Sequence, residues 1–227
     1  MFRDYSYDYE WDREYCYPES SVLKNKLNIK ASEPLAEAER EITSIRIAVA
    51  KLTPIKGHFD LKHLQKIHRF VFGDIYTWAG KLRHVYISKG NQFCLAINLE
   101  AYAQNLFQKL ENEHFLIGCR ESVPHRLAWY LSEINVLHPF REGNGRVQRL
   151  FIEYLASVAG YRVDFSDVST HEMIVASADS FACDYDAIYE MFDRITTPIS
   201  KEAQLLAIRH FFGAKSAQIR WFNESSR

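Results

Sequence analysis

Thirteen consecutive residues hold most of the side chains in this chain that could do chemistry together. They read Leu137-His138-Pro139-Phe140-Arg141-Glu142-Gly143-Asn144-Gly145-Arg146-Val147-Gln148-Arg149. Gly143 and Gly145 let the backbone turn tightly and approach a ligand with no Cβ in the way. The apolar spacing of Val147, Leu150, Phe151, Tyr154, Leu155 and Val158 predicts a helix directly after the turn. A glycine-rich turn at a helix N-terminus presents free N–H groups and the positive end of the dipole, which makes an anion site suited to phosphate. Arg146 and Arg149 lie three apart on one helix face, and two guanidinium forks over such a site suit a polyphosphate. Glu142 could hold Mg²⁺ bridging phosphate oxygens. His138 stands at the other lip, where an imidazole could take a proton from an incoming hydroxyl. Together these parts describe phosphoryl or nucleotidyl transfer by positioning and electrostatics. Each has a plainer reading alone: a helix-end histidine, a turn, a solvated pair of arginines. The weight rests on their conjunction.

The elements that must position them are mostly helical. Leu35, Ala38, Ile42, Ile45 and Val49 predict a long helix from Glu33 to Leu52, capped by Ser32, with Pro34 tolerated in its first turn. Asp60 caps a second, with Leu61, Leu64, Ile67, His68, Val71 and Phe72 inward. His63 and His68 lack a third ligand at metal spacing and read as structural. Asn98 opens a helix to about Asn112, and Ser122 caps one that runs to Leu137 and delivers His138. The helix after the motif stops at Ala159-Gly160, and Tyr161 to Phe165 is a short extended link. Thr170 caps a helix to Ala182, Asp184-Tyr185-Asp186 opens another to Ile195, and Ser200 caps a last one to Phe212. Tyr185 and Tyr189 are candidates for a nucleotide base, with core packing the commoner role for such residues.

Between Leu82 and Ala96 the helical period is lost. Val85-Tyr86-Ile87 and Phe93-Cys94-Leu95, around a polar tip at 88–92, predict a β-hairpin, the one clear strand pair in the chain. Its free edges could accept an extended peptide. The expected organisation is an acidic, tyrosine-rich arm over 1–16, one domain over 17–212, and a polar tail over 213–227.

The motif resembles that of the Fic family, His-x-Phe-x-(Asp/Glu)-Gly-Asn-Gly-Arg-x-x-Arg, and matches it from His138 to Arg149 at every defining position. Tyr17-Pro18-Glu19-Ser20 with Leu23-Lys24-Asn25-Lys26-Leu27, and the run from Asp74 to Arg83, look similar to further pieces of that family, so the resemblance covers roughly residues 17–196. It implies an all-α, Fic-like helical bundle with one β-hairpin flap over the active site, at about 83–96. It also implies transfer of AMP from ATP to a Tyr, Ser or Thr hydroxyl of a target protein. His138 would be the base and Glu142 the Mg²⁺ ligand. Gly143, Asn144 and Gly145 would form the anion hole, with Asn144 near the α-phosphate. Arg146 and Arg149 would hold the β- and γ-phosphates, Arg141 would belong to the nucleotide-binding stretch, and Phe140 would anchor the loop. Ile87, Ser88, Lys89 and Gly90 of the flap would lie near nucleotide and target.

Many members of that family carry an inhibitory helix, (Ser/Thr)-x-x-x-Glu-(Gly/Asn), whose glutamate pairs with the second motif arginine. Neither end of this chain matches, because Ser32 has Ala36 at the glutamate position and Ser216 has Arg220. The chain is then either uninhibited or controlled by a separate small antitoxin that targets Arg149. An effector delivered into another cell is the rival to a toxin. Transfer of another phosphate-containing group, removal of AMP, and a non-catalytic ATP- or peptide-binding module are the alternative activities.

Composition narrows the field further. With 28 basic and 29 acidic residues, the net charge of −1 gives no global field for nucleic acid or anionic membrane. Hydrophobic residues make up 47% of the 227, enough for a globular core. Cys16, Cys94, Cys119 and Cys183 are scattered and form no C-x-x-C pair, as expected of thiols in a reducing, cytoplasmic compartment. No apolar run reaches the ~18 residues of a membrane span.

Overall fold

The structure, a computed structural model, describes residues 14–89 and 91–225. Its axis is the helix that follows the motif, labelled α5 (Asn144–Ala159). Val147, Leu150, Phe151, Ile152, Tyr154, Leu155, Ala156 and Val158 are all buried, so this helix is apolar almost all round, as a helix enclosed by others must be. Around it lie α2 (Leu61–Phe72), α4 (Val123–Leu137) and α8 (Lys201–Phe212). The outer helices are α1 (Ser32–Leu52), α3 (Leu99–Asn112), α6 (Thr170–Phe181), α7 (Asp186–Ile195) and α9 (Ala217–Ser225). None among the described residues is long and apolar enough to cross a membrane. The all-helical bundle with a hairpin is therefore as expected.

The caps fix where the helices begin. Asp60 accepts from the His63 N–H at 2.7 Å, and Ser122 and Ser200 accept from His125 and Ala203. Two expected caps are displaced. Ser32 is the first helical residue of α1, and Ala31 occupies the cap position with no side-chain bond. Ser169, one residue before Thr170, caps α6 through the Glu172 N–H. The last turn of α1 is bound to the axis: Tyr154 Oη donates to the Ala50 carbonyl at 2.6 Å, and Lys51 pairs with Glu153 at 2.8 Å.

The strands depart from expectation. The hairpin pairs β1 (Ser88–Lys89) with β2 (Asn91–Gln92), Ser88 opposite Gln92 and Lys89 opposite Asn91. Pairing therefore sits inside the segment expected to be a polar tip, while residues 85–87 and 93–95 form its feet. A second antiparallel pair joins β3 (Tyr161–Val163) to β4 (Thr196–Pro198). The first of these was expected as an unpaired link, because its partner lies far along the chain and leaves no local alternation to read.

The tail is also more structured than expected. Trp221 of α9 donates to the Ile117 carbonyl at 2.7 Å and stacks on His114 at 3.9 Å, and Phe222 is buried. Beneath it His114, Phe115 and Leu116 take left-handed φ values of 52°, 56° and 62° in succession, which drives Phe115 and Leu116 into the core. At the other end, residues 1–13 of the expected arm lie outside the described residues. Tyr15 and Cys16 of that arm are buried, and Cys16 bridges to Leu23.

Candidate active site

His138 stands where α4 stops. Its N–H closes the last turn onto the Ile134 carbonyl at 3.0 Å, and its φ of 42° turns the chain out of the helix. That left-handed conformation costs a non-glycine residue about 1–2 kcal/mol. The imidazole is buried and lies flat on the Phe93 ring, with centroids 3.7 Å apart and planes 12° apart.

The loop that follows is fastened from within. Phe140 is fully buried, its ring 4.0 Å from that of His68. The Asn144 side chain accepts from the Phe140 N–H at 2.9 Å and donates to the Phe140 carbonyl at 2.8 Å. Asn144 was expected near the α-phosphate as part of an anion hole, and these two bonds show that its amide also closes the loop. His68 holds the loop from α2. Its Nδ1 accepts from the Gly80 N–H at 2.9 Å, so its Nε2 must carry the hydrogen donated to the Glu142 carbonyl, 2.9 Å away. Burial depresses the His68 pKa to about 4, which keeps the ring neutral as this arrangement requires. His63 is neutral for the same reason and is bonded at both nitrogens, to the Phe59 N–H and the Ile55 carbonyl.

Gly143 has φ of 79°, and a Cβ there would lie 2.1 Å from the Phe72 ring, so only glycine fits. Its N–H donates to its neighbour's Glu142 Oε1 at 2.8 Å. Burial, then the nearby Glu39, raises the Glu142 pKa, so this carboxylate sits in a setting that a cation would relieve. No group of three or more metal-ligating side chains occurs among the described residues.

The three motif-region arginines go three ways. Arg149 faces a cavity of about 380 Å³, together with His138 and Gly145. Burial and Arg146 lower its pKa, and it makes no hydrogen bond or close ion pair among the described residues. Arg146 is turned onto α1: it donates to Glu39 and, at 3.0 Å, to Thr43 Oγ1, with its guanidinium over the Phe72 ring. Tyr76 Oη donates to the other oxygen of Glu39. Arg146 therefore does not line the cavity beside Arg149, although the two are three residues apart. Arg141 was expected to belong to the nucleotide-binding stretch. Its side chain is 1% exposed and packs against Tyr15 and Cys16, and it is not among the residues that line the cavity.

The remaining cavity wall was not found by sequence reasoning. Leu131 and Asn135 of α4 and Gln148 of α5 form one side, and Met173, Ile174, Ser177, Ala178 and Phe181 of α6 form the other. The available signal was a helix whose apolar face has small residues at its centre and no obvious partner. Tyr185 and Tyr189 stack on each other, and Tyr189 on His125, away from this wall. From the flap the cavity receives Phe93. Ile87 is buried beneath the hairpin, and Ser88 and Lys89 form β1; Gly90 lies outside the described residues. Among the described residues β1 and β2 pair only with each other, so each leaves an outer edge.

Fold and site together define a class: a helical bundle in which one helix ends on a buried histidine and the next begins on a Gly-Asn-Gly turn, with a cavity between them. Residues 58–156 match the family model described as Fic/DOC family. Protein adenylyltransferase VbhT from Bartonella schoenbuchensis is 41% identical over 185 residues, which are 81% of this chain and 39% of VbhT. An Escherichia coli K12 protein named "Probable protein adenylyltransferase Fic" is 38% identical over 186 residues, covering 81% of this chain and 92% of its own length. The chain thus spans well under half of the first relative and nearly all of the second. Among solved structures, the N-terminal Fic domain of a VirB-translocated Bep effector protein from Bartonella quintana, with bound ADP, gives a TM-score of 0.79 at 29% identity over 86% of this chain and 100% of that one. BepC from Bartonella tribocorum, with bound AMPPNP, gives 0.78 at 25% identity over 85% of this chain and 100% of that one. This chain belongs to the Fic family.

Proposed function

We propose that the chain is a protein adenylyltransferase that moves AMP from ATP to a Tyr, Ser or Thr hydroxyl of a target protein. The observation that carries this is a single cavity bordered by His138, Gly145 and Arg149, with a largely apolar wall opposite that suits an adenine ring. His138 takes the hydroxyl proton as the hydroxyl oxygen bonds to the α-phosphorus. The bond from the α-phosphorus to the α–β bridging oxygen breaks, and pyrophosphate leaves. The free N–H groups at the start of α5 and the Arg149 guanidinium meet the phosphate charge. Glu142 fits as the protein ligand of Mg²⁺, which takes one or two carboxylates plus substrate phosphates; when bound, the ion supplies charge neutralisation between phosphate oxygens.

The target segment docks along the outer edge of the hairpin, at Ile87, Ser88, Lys89 and Gly90, by main-chain pairing. A separate small antitoxin supplies a carboxylate to Arg149, whose lack of a close partner among the described residues supports that role. The protein works in a cytoplasm, its own or that of a cell into which it is delivered. Purified protein with Mg²⁺ and a cell lysate, given ATP labelled at the α- or the γ-phosphate, tests the reaction. Bands labelled only from the α-position, and lost in His138→Ala with ATP binding retained, are expected. Labelling only from the γ-position would overturn it in favour of phosphorylation.

A further inference from the structure

Arg83 is 2% exposed, and no carboxylate pairs with it among the described residues. Its guanidinium instead donates to three main-chain carbonyls on three different segments. Nε reaches His138 at 2.7 Å, Nη1 reaches Val85 at 2.7 Å, and Nη2 reaches Cys94. Val85 is where the chain enters the hairpin and Cys94 where it leaves. The chain on either side of the hairpin is also bonded to the catalytic segment through the backbone: the Arg83 N–H donates to the Pro139 carbonyl, and the Cys94 N–H to that of Val136, both at 2.9 Å. Beside Cys94, Phe93 lays its ring on the His138 imidazole and meets Phe181 of α6 edge-on. An isolated buried cation is unfavourable unless its donors are well used, and here they are used on the joint between flap and base. A guanidinium suits this joint because its donors form a rigid planar fork.

We infer that Arg83 is a positioning residue for AMP transfer, holding the two feet of the flap and the main chain of His138 as one body. The edge that grips the target and the imidazole that takes its proton are then set in one frame, with Phe93 fixing the plane of the ring. This rests on the reading of His138 as the base.

Two variants of the full chain test it. Arg83→Lys keeps the charge but cannot span three carbonyls. Phe93→Leu leaves the guanidinium bonds and removes the ring from the imidazole. The readouts are hydrogen exchange at the Phe93 and Cys94 amides, ATP affinity by calorimetry, and transfer of α-labelled AMP to lysate proteins. Arg83→Lys is expected to speed exchange at those two amides about tenfold or more while the α5 amides stay protected. Transfer should fall about 100-fold with ATP affinity nearly unchanged, the size of effect that misplacement of a reacting group produces. Phe93→Leu should lower transfer with both amides still protected. A general rise in exchange with loss of ATP affinity in Arg83→Lys would make it a plain core strut and overturn the inference. So would wild-type transfer in either variant, and Phe93→Leu decides the matter should Arg83→Lys fail to fold. If the wild-type protein transfers no AMP, the adenylyltransferase reading fails, whereas amide exchange still reports whether Arg83 couples flap to base.

Discussion

His68 should give this protein a measurable acid sensitivity that reaches into the active-site loop. Its pKa falls from the usual 6.5 to about 4, with burial as the first cause. The unfolded chain therefore binds a proton below about pH 6.5 that the folded protein refuses until about pH 4. Stability is fully present above pH 6.5 and is lost as pH falls. By linkage the loss between about pH 7 and pH 5 is roughly 2 kcal/mol for this one ring. His63, with the same depression, contributes a similar amount. The raised pKa values of Glu142 and Glu153 act in the opposite direction over the acid range, so the total alone is not diagnostic. The His68→Gln variant isolates the ring. A glutamine amide can still donate to the Glu142 carbonyl but cannot also accept from Gly80 in the same geometry, and it loses the stacking on Phe72 and Phe140. It should be less stable than wild type by about 2–3 kcal/mol near pH 7. Near pH 5 the two should nearly converge, because the variant no longer carries the proton-linked loss. Urea unfolding followed by tryptophan fluorescence at the two pH values measures both. An unchanged pH dependence in the variant would refute the assignment of a neutral, doubly bonded His68.

Other substitutions bear on the site. Glu39→Gln loosens Arg146 from α1, and if Arg146 serves as a phosphate ligand, calorimetry should show ATP binding tightened by about tenfold, the scale of one charge-assisted hydrogen bond; unchanged affinity would make Arg146 a strut between α1 and α5. Gly143→Ala combines a positive φ with a Cβ driven into the Phe72 ring, so thermal unfolding should report a loss of about 3 kcal/mol or more. Pairing it with Phe72→Ala should give a double variant less destabilised than the two losses summed, and strict additivity would count against the clash. Arg149→Ala should abolish AMP transfer with little change in melting temperature, while Arg141→Ala should lower the melting temperature, since one side chain faces the cavity and the other is buried under Tyr15.

The helices were legible because each buries one face of a 3.6-residue repeat and most begin at a residue able to cap. The motif was legible because base, turn and arginines are contiguous. What escaped were relations between distant segments. Nothing local in Tyr161-Arg162-Val163 announces that Thr196-Thr197-Pro198 will pair with it. The spacing of Arg146 and Arg149 predicts one face but cannot reveal that Glu39, over a hundred residues earlier, draws the first of them away. The inhibitory pattern is keyed to the second arginine, whereas Glu39 meets the first. Arg141 occupies a variable place in the motif, and its burial depends on Tyr15 and Cys16 folding back over it. Asn144 was read as part of the anion hole, and no local pattern announces that both ends of its amide bond the main chain of Phe140.

The three left-handed residues under α9 bear on where this fold can be cut or joined to other sequence. Each of His114, Phe115 and Leu116 holds a conformation that costs about 1–2 kcal/mol outside glycine. Trp221 clamps that turn from above, by its stack on His114 and its bond to Ile117. A truncation at Phe212, the boundary that helical periodicity suggests, would remove the clamp and leave the turn to relax. Relaxation would withdraw Phe115 from its packing on Phe59 and Phe212, and Phe59 in turn touches Phe151 of the axis helix. The minimal excisable module therefore extends through α9, and a fusion partner attached after Ser225 should leave the active-site helix undisturbed where one attached at Gly213 would not.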